Sequence, residues 1–203
     1  MKWSQHGGNR MDIVSIDFET ANRYRFSPCA IGIVVADIKG KVIDEFYSLI
    51  NPLMDFEANN IYVHGITEVD VADAPTFDEL WPIINRYLNN NIVVAHNASF
   101  DMSVLRATLD RFSLSYPEMS YLCSVMIAKQ IWPDMINYKL NTLAANIGIE
   151  FSHHHALEDS RVVIDLLENA VQKKQVNDIP KLIDNINISY GSIYHKGYIT
   201  PKV

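Results

Sequence analysis

Met11-Asp12-Ile13-Val14-Ser15-Ile16-Asp17-Phe18-Glu19-Thr20 is the stretch from which the fold is read. The β-branched residues Ile13, Val14 and Ile16 predict a strand over Met11–Asp17, closing in Asp17-Phe18-Glu19. Strand side chains alternate between faces, so Asp17 and Glu19, two residues apart, share one face. Two adjacent carboxylates repel and raise each other's pKa. A hard divalent cation such as Mg²⁺ or Mn²⁺ relieves that cost. A second Asp-x-Glu, Asp55-Phe56-Glu57, follows Pro52 in a loop and reads as two solvated surface acids. What separates the first pair is that it ends an apolar strand.

Working outward, Ala30–Ala36 is an almost wholly apolar second strand, and Val42–Ile50 a third that stops at Asn51-Pro52. Lys39-Gly40 between them is a tight turn, which implies antiparallel pairing. Helical spacing follows over Thr76–Leu88, with Thr76 as N-cap and Glu79 completing a capping-box pattern. Ile92–Ala95 reads as a short buried strand, Ser99–Phe112 as a helix, and Ser120–Cys123 as a last strand. Val125–Trp132, Leu140–Ile147 and Ala156–Val171 are further helices, the first two stopped by Pro133 and Gly148. A strand meander followed by alternating strands and helices is a mixed sheet with helices packed on it, an α/β architecture.

Composition limits the possibilities. The 203 residues suit one domain, and 48% apolar with 20% charged residues excludes a disordered or collagen-like chain. Cys29 and Cys123 are the two cysteines, too few for a disulfide framework or a cysteine-built zinc site, and a reducing cytoplasm is the expected setting. The apolar run Ala30–Ala36 is far too short for a membrane span, so no membrane partner is expected. Residues 1–10 read as an N-terminal extension without an apolar leader core, 11–175 as the domain, and 176–203 as an appended tail, helical at first and then irregular. The net charge of −7 argues against gripping long nucleic acid by phosphate neutralisation alone. It is compatible with carboxylates concentrated around cations.

Two further acids join the first pair. Asp101 follows Val93-Val94-Ala95-His96-Asn97-Ala98-Ser99-Phe100, in the first turn of a helix fed by a buried strand. Asp159 lies early in the long helix, and His154 precedes it by five residues in the feeding loop. An imidazole there is a reasonable general base. Glu158 points elsewhere and reads as a solvated face residue.

The set in order resembles the DnaQ-like, DEDDh-type 3′–5′ exonucleases, a family similar to the epsilon proofreading subunit of bacterial DNA polymerase III. The resemblance covers residues 11 to about 172. Val63-His64-Gly65-Ile66-Thr67, Ala74-Pro75-Thr76-Phe77, and Leu140-Asn141-Thr142-Leu143 ahead of Gly148-Ile149 extend it beyond the acids. It implies a ribonuclease-H-like fold with a five-stranded mixed sheet flanked by helices. It also implies that Asp17, Glu19, Asp101 and Asp159 hold two Mg²⁺ or Mn²⁺ ions, with His154 as general base. Phe18, Thr20 and His64 match positions that contact the terminal nucleotide, and His96 and Phe100 shape that site. One departure is Thr20-Ala21-Asn22, where many relatives have Thr-Thr-Gly.

The implied activity is release of nucleoside monophosphates from the 3′ end of single-stranded or frayed DNA, as in proofreading or repair, with a DNA polymerase or replication protein as the expected partner. An exonuclease trimming RNA or short oligoribonucleotides keeps the fold and changes the substrate. A non-catalytic module is disfavoured because all four acids and the histidine are present.

Overall fold

Strand β1 (Ile13–Thr20) runs through the middle of the structure, a computed structural model that describes residues 11–203. The expected extension Met1–Arg10 lies outside the described residues. On one side β1 pairs antiparallel with β2 (Pro28–Ala36), which pairs antiparallel with β3 (Val42–Leu49). All nine residues of β2 are buried, which accounts for its unbroken apolar run: helices or strands cover it on every side. The turn into β3 is closed by the Asp37 side chain, whose Oδ1 accepts from the Lys39 and Lys41 N–H groups at 2.8 and 3.2 Å. Gly40 there takes φ +95°, a backbone state that glycine reaches without steric cost.

On its other side β1 pairs parallel with β4 (Ile92–Ala95), and β4 pairs parallel with β5 (Met119–Cys123). The seven helices of the described residues are α1 (Ala58–His64), α2 (Phe77–Leu88), α3 (Ser99–Arg111), α4 (Ser124–Ile131), α5 (Leu140–Asn146), α6 (Ala156–Lys174) and α7 (Ile179–Asn185). At the start of α2 the Glu79 carboxylate accepts the Thr76 N–H at 2.8 Å, the expected cap. The alternation of β1 divides the core in two. Val14, Ile16 and Phe18 join Phe77, Ile84, Leu105 and Leu109 of α2 and α3 on one face. Ile13 joins Val34, Val94, Leu122 and the apolar stripes of α4 to α7 on the other. The odd-numbered face of β1 continues through Ser15 to Asp17 and Glu19, so the acids point to the α6 side.

Two features differ from expectation. The sheet has seven strands rather than five, in the order β3-β2-β1-β4-β5-β6-β7. The segment expected to be irregular supplies β6 (Gly191–Tyr194), antiparallel to β5, and β7 (Gly197–Ile199). Strands of four and three residues are too short to show alternation; pairing of β6 to Met119–Tyr121, and of β7 to β6, creates them. Helix α1 is not among the elements expected from the sequence. None of its residues is buried, so it carries no amphipathic signature.

Candidate active site

Asp17 and Glu19 enter a cleft of about 710 Å³ from β1, with Asp101 from α3, Asp159 from α6, and His153 and His154 from the loop before α6. Gly32 makes this convergence possible. It is the β2 partner of Asp17, and a Cβ on it would lie 2.2 Å from the Ala156 carbonyl carbon. The first turn of α6 therefore rests directly on the strand backbone, and Ser160 Oγ locks it by donating to the Gly32 carbonyl at 3.1 Å. Asp159, three residues into that helix, is thereby delivered to the acids of β1.

Ligand oxygens of Asp17, Glu19 and Asp159 all lie within 4.8 Å of one another. Asp101 stands beside this trio rather than in it. Its Oδ1 accepts the Phe18 N–H at 3.1 Å, fixing the end of β1 against α3. The cost of the arrangement is plain in the acidities. Burial first, then the charges of Asp101, Glu19 and Asp159, raises Asp17 well above the carboxylate range. Burial likewise pushes Glu19 and Asp101 up to about 8 and Asp159 up to about 7. Asp159 Oδ1 is buried without a hydrogen-bond partner among the described residues. Crowded carboxylates, one with an orphaned oxygen, suit hard divalent cations.

The three consecutive histidines separate into different roles. His154 takes φ +68°, a conformation uncommon for a residue with a Cβ, and its main chain lies near enough to Asp159 to lower that carboxyl's pKa against the effect of burial. His153 lies beside it with ring centroids 3.9 Å apart, and its Nδ1 is 3.4 Å from Asp159 Oδ2, outside hydrogen-bond geometry. Burial lowers the pKa of both, which keeps them neutral near pH 7. His155 turns away and stacks on Tyr47 at 4.7 Å. Glu158 also turns away, pairing with Arg161, which in turn pairs with Glu45 of β3 at 2.6 Å.

The remaining expected residues fall in three places. His96 and Phe100 line the cleft. His96 Nε2 donates to the Tyr138 carbonyl at 3.0 Å and Nδ1 accepts from Ser124 Oγ at 2.8 Å, while burial drives its pKa down to about 4. It is a neutral strut that pins the Tyr138–Asn141 wall. The Phe18 ring is 2% exposed and packs in the core 6.4 Å from Phe77, so its main-chain N–H serves the site more than its ring does. Thr20 and His64 are not lining residues of this cleft. They form its hydrogen-bonded shoulder: His64 Nε2 donates to the Thr20 carbonyl at 3.1 Å, and Nδ1 accepts the Ile66 N–H at 3.0 Å. Sequence reasoning passed over His153, Tyr138, Lys139 and Asn141, which line the cleft. Their signal was position alone, next to residues already singled out.

The Ala21-Asn22 departure is absorbed locally. Ala21 is fully buried with Cys29 and Val71. Asn22 Nδ2 donates to the Asp55 carbonyl at 2.7 Å, and its Oδ1 accepts the Tyr24 N–H at 3.0 Å.

The model of the Exonuclease family matches residues 14–167, a span that holds all four acids and His154. The chain is 28% identical over 195 residues to the DNA polymerase III PolC-type of Bacillus cereus, covering 91% of the chain and 13% of that protein. It is 32% identical over 162 residues to the PolC-type polymerase of Oceanobacillus iheyensis, covering 79% of the chain and 11% of that protein. The chain thus spans about an eighth of the length of these curated relatives. A solved structure of Exonuclease X in complex with 5′-overhanging duplex DNA superposes with a TM-score of 0.67 at 27% identity, covering 86% of this chain and 98% of that one. Exonuclease I of E. coli in complex with a dA16 oligonucleotide superposes with a TM-score of 0.73 over 87% of this chain and 43% of that one. Its identity is 18%, so that likeness shows the fold alone.

Proposed function

The chain belongs to the exonuclease family, and on that premise we propose that it is a metal-dependent 3′–5′ exonuclease acting on single-stranded or frayed DNA ends. The observation that carries the reading is the convergence of Asp17, Glu19 and Asp159 within 4.8 Å, with an orphaned buried oxygen on Asp159 and with Asp101 alongside. These acids would hold two Mg²⁺ or Mn²⁺ ions. Bound there, such ions supply acidification of water and charge stabilisation of the departing 3′ oxygen.

The chain's own residues do the rest. Asp101 fixes the end of β1 through the Phe18 N–H, so the carboxylates meet the scissile phosphate in a set geometry. His154, exposed at the cleft and with its pKa held below the usual imidazole value, accepts the proton of the attacking water. A base of this kind contributes about 10²–10⁴-fold. Phe100 forms the apolar wall against which the terminal nucleotide rests, and the Thr20–His64 shoulder limits how far the end enters. Similarity to an Exonuclease X bound to overhanging duplex supports DNA as the substrate. Similarity to PolC-type polymerases supports a polymerase or replication partner. No helix among the described residues is long and apolar enough to cross a membrane. The cytoplasm is the setting we propose.

The test is a time course with Mg²⁺ or Mn²⁺ on 5′-end-labelled DNA and RNA strands and on a circular single strand. Stepwise shortening of linear DNA from the 3′ end, with the circle intact, is expected. Faster digestion of RNA would reassign the substrate, and cutting of the circle would refute the exonuclease reading.

A further inference from the structure

The loop between β1 and β2 carries Arg23-Tyr24-Arg25-Phe26 and reaches the cleft through the contact of Arg25 with Phe100. It is tightly tied. Ala21 N–H donates to the Ser27 carbonyl at 2.8 Å, and Ser27 Oγ donates to the Tyr24 carbonyl at 2.6 Å. Arg111 of α3 donates to the Phe26 and Pro52 carbonyls at 2.9 and 2.7 Å. Tyr24 and Phe26 stack at 5.4 Å. The two loop arginines differ. Arg23 lies over the Tyr24 ring and pairs with Glu57 at 3.7 Å. Arg25 places its guanidinium carbon 4.3 Å from the centroid of the Phe100 ring, a ring that lines the cleft. It is exposed, and its guanidinium has no hydrogen-bond or carboxylate partner among the described residues. Its charge reaches the site, where it lowers the Asp101 pKa against the effect of burial.

We propose that Arg25 is a substrate-positioning residue that binds a phosphate of a single strand on the 5′ side of the scissile bond. This rests on the exonuclease reading. A guanidinium stacked on an aromatic face keeps its in-plane N–H donors at its edges, where they fit phosphate oxygens two at a time. The cleft floor is acidic, and its carboxylates would hold the cations that neutralise the scissile phosphate. The next phosphate needs a cation of the protein's own, which a chain of net charge −7 offers sparingly. The tied loop holds Arg25 ready, so little ordering remains to be done on binding.

The experiment measures anisotropy of a fluorescent single-stranded oligonucleotide in Ca²⁺ across a salt series, beside kcat and KM in Mg²⁺. The kinetic substrates are that oligonucleotide and the 4-nitrophenyl ester of thymidine 5′-phosphate, which has one phosphate. Arg25→Gln is expected to weaken oligonucleotide binding about tenfold, as loss of a charge-assisted bond does. The salt slope should shrink by about 0.7. The loss should appear in KM and fall far more heavily on the oligonucleotide than on the ester. Arg25→Lys should recover most of the salt slope, and Arg23→Gln should change binding less than about twofold. Equal losses on both substrates with an unchanged salt slope would show that Arg25 only props Phe100 and would overturn the proposal. Oligonucleotide binding that ignores Arg25→Gln would overturn it too. If the wild type binds through Arg25 and does not cleave, the positioning role stands and the exonuclease reading falls.

Discussion

Two Asp-x-Glu segments with the same spacing occur in this chain, and only one belongs to the cleft. Asp17-Phe18-Glu19 lies on a buried central strand, where alternation places both carboxylates on the α6 face and enclosure raises their pKa values. Asp55-Phe56-Glu57 lies in the loop before α1. Asp55 is exposed and lends its main-chain carbonyl to Asn22, while Glu57 pairs with Arg23 at 3.7 Å. Spacing supplies the same pair of groups twice. The strand adds a shared direction and removes water, and those two additions make the acid pair a candidate cation site.

The largest effect should separate these two pairs directly. Asp17→Asn or Asp159→Asn should lower kcat by about 10³-fold or more, since several kcal/mol of metal-borne stabilisation are lost at about 1.4 per tenfold. Asp55→Asn should stay within about twofold. Comparable losses at Asp17 and Asp55 would erase the distinction. The histidines sharpen it next. His154→Ala should cost about 10²-fold or more in kcat, as expected for a general base. His155→Ala, which loses a stack on Tyr47, should cost far less, and His153→Ala should fall between them. A reversal of that order would mean that the loop delivers a different imidazole.

Gly32→Ala probes how the strand pair meets its third acid. The added methyl meets the backbone of α6, which is not free to swing aside. Overpacking of about 1–3 kcal/mol in denaturant titration is expected. Activity should fall with it as Asp159 is displaced. Full activity in Gly32→Ala would show that α6 docking does not place Asp159.

The last prediction concerns stability against pH. In chelator, Glu19 and Asp101 titrate near 8 and Asp159 near 7 in the folded chain, and near 4 when unfolded. Between those values the folded chain holds protons that the unfolded chain has released. Stability therefore falls as pH rises from about 4 to about 8, and it is fully retained below about 4 with respect to these groups. Saturating Mn²⁺ should raise Tm and flatten that fall, because the ion binds the folded site. A Tm that climbs through the same window in chelator would contradict the raised pKa values.

The same contrast explains what could be read ahead of the structure. The apolar run of β2 and the long stripe of α6 were legible because each is a local pattern, and the four acids because their order along the chain resembles that of a known family. Helix α1 and strands β6 and β7 were not, because contacts elsewhere in the chain create them. The Ser160–Gly32 bond spans 128 residues, and no window along the sequence contains it. Asp101 was found as a member of the set. Its grip on the Phe18 N–H, which holds it apart from the tight trio, appears only when β1 and α3 are packed together. Likewise, nothing local distinguishes His153 from His154. The left-handed turn at residue 154 decides which imidazole goes where.

The central claim is that the strand-borne pair, and not the loop-borne one, makes the cation site. Calorimetric titration of the chelator-treated protein with Mn²⁺ tests it without depending on turnover. Two ions per chain are expected for the wild type and for Asp55→Asn, with loss of at least one in Asp17→Asn. Undiminished Mn²⁺ binding in Asp17→Asn, or its loss in Asp55→Asn, would contradict the account.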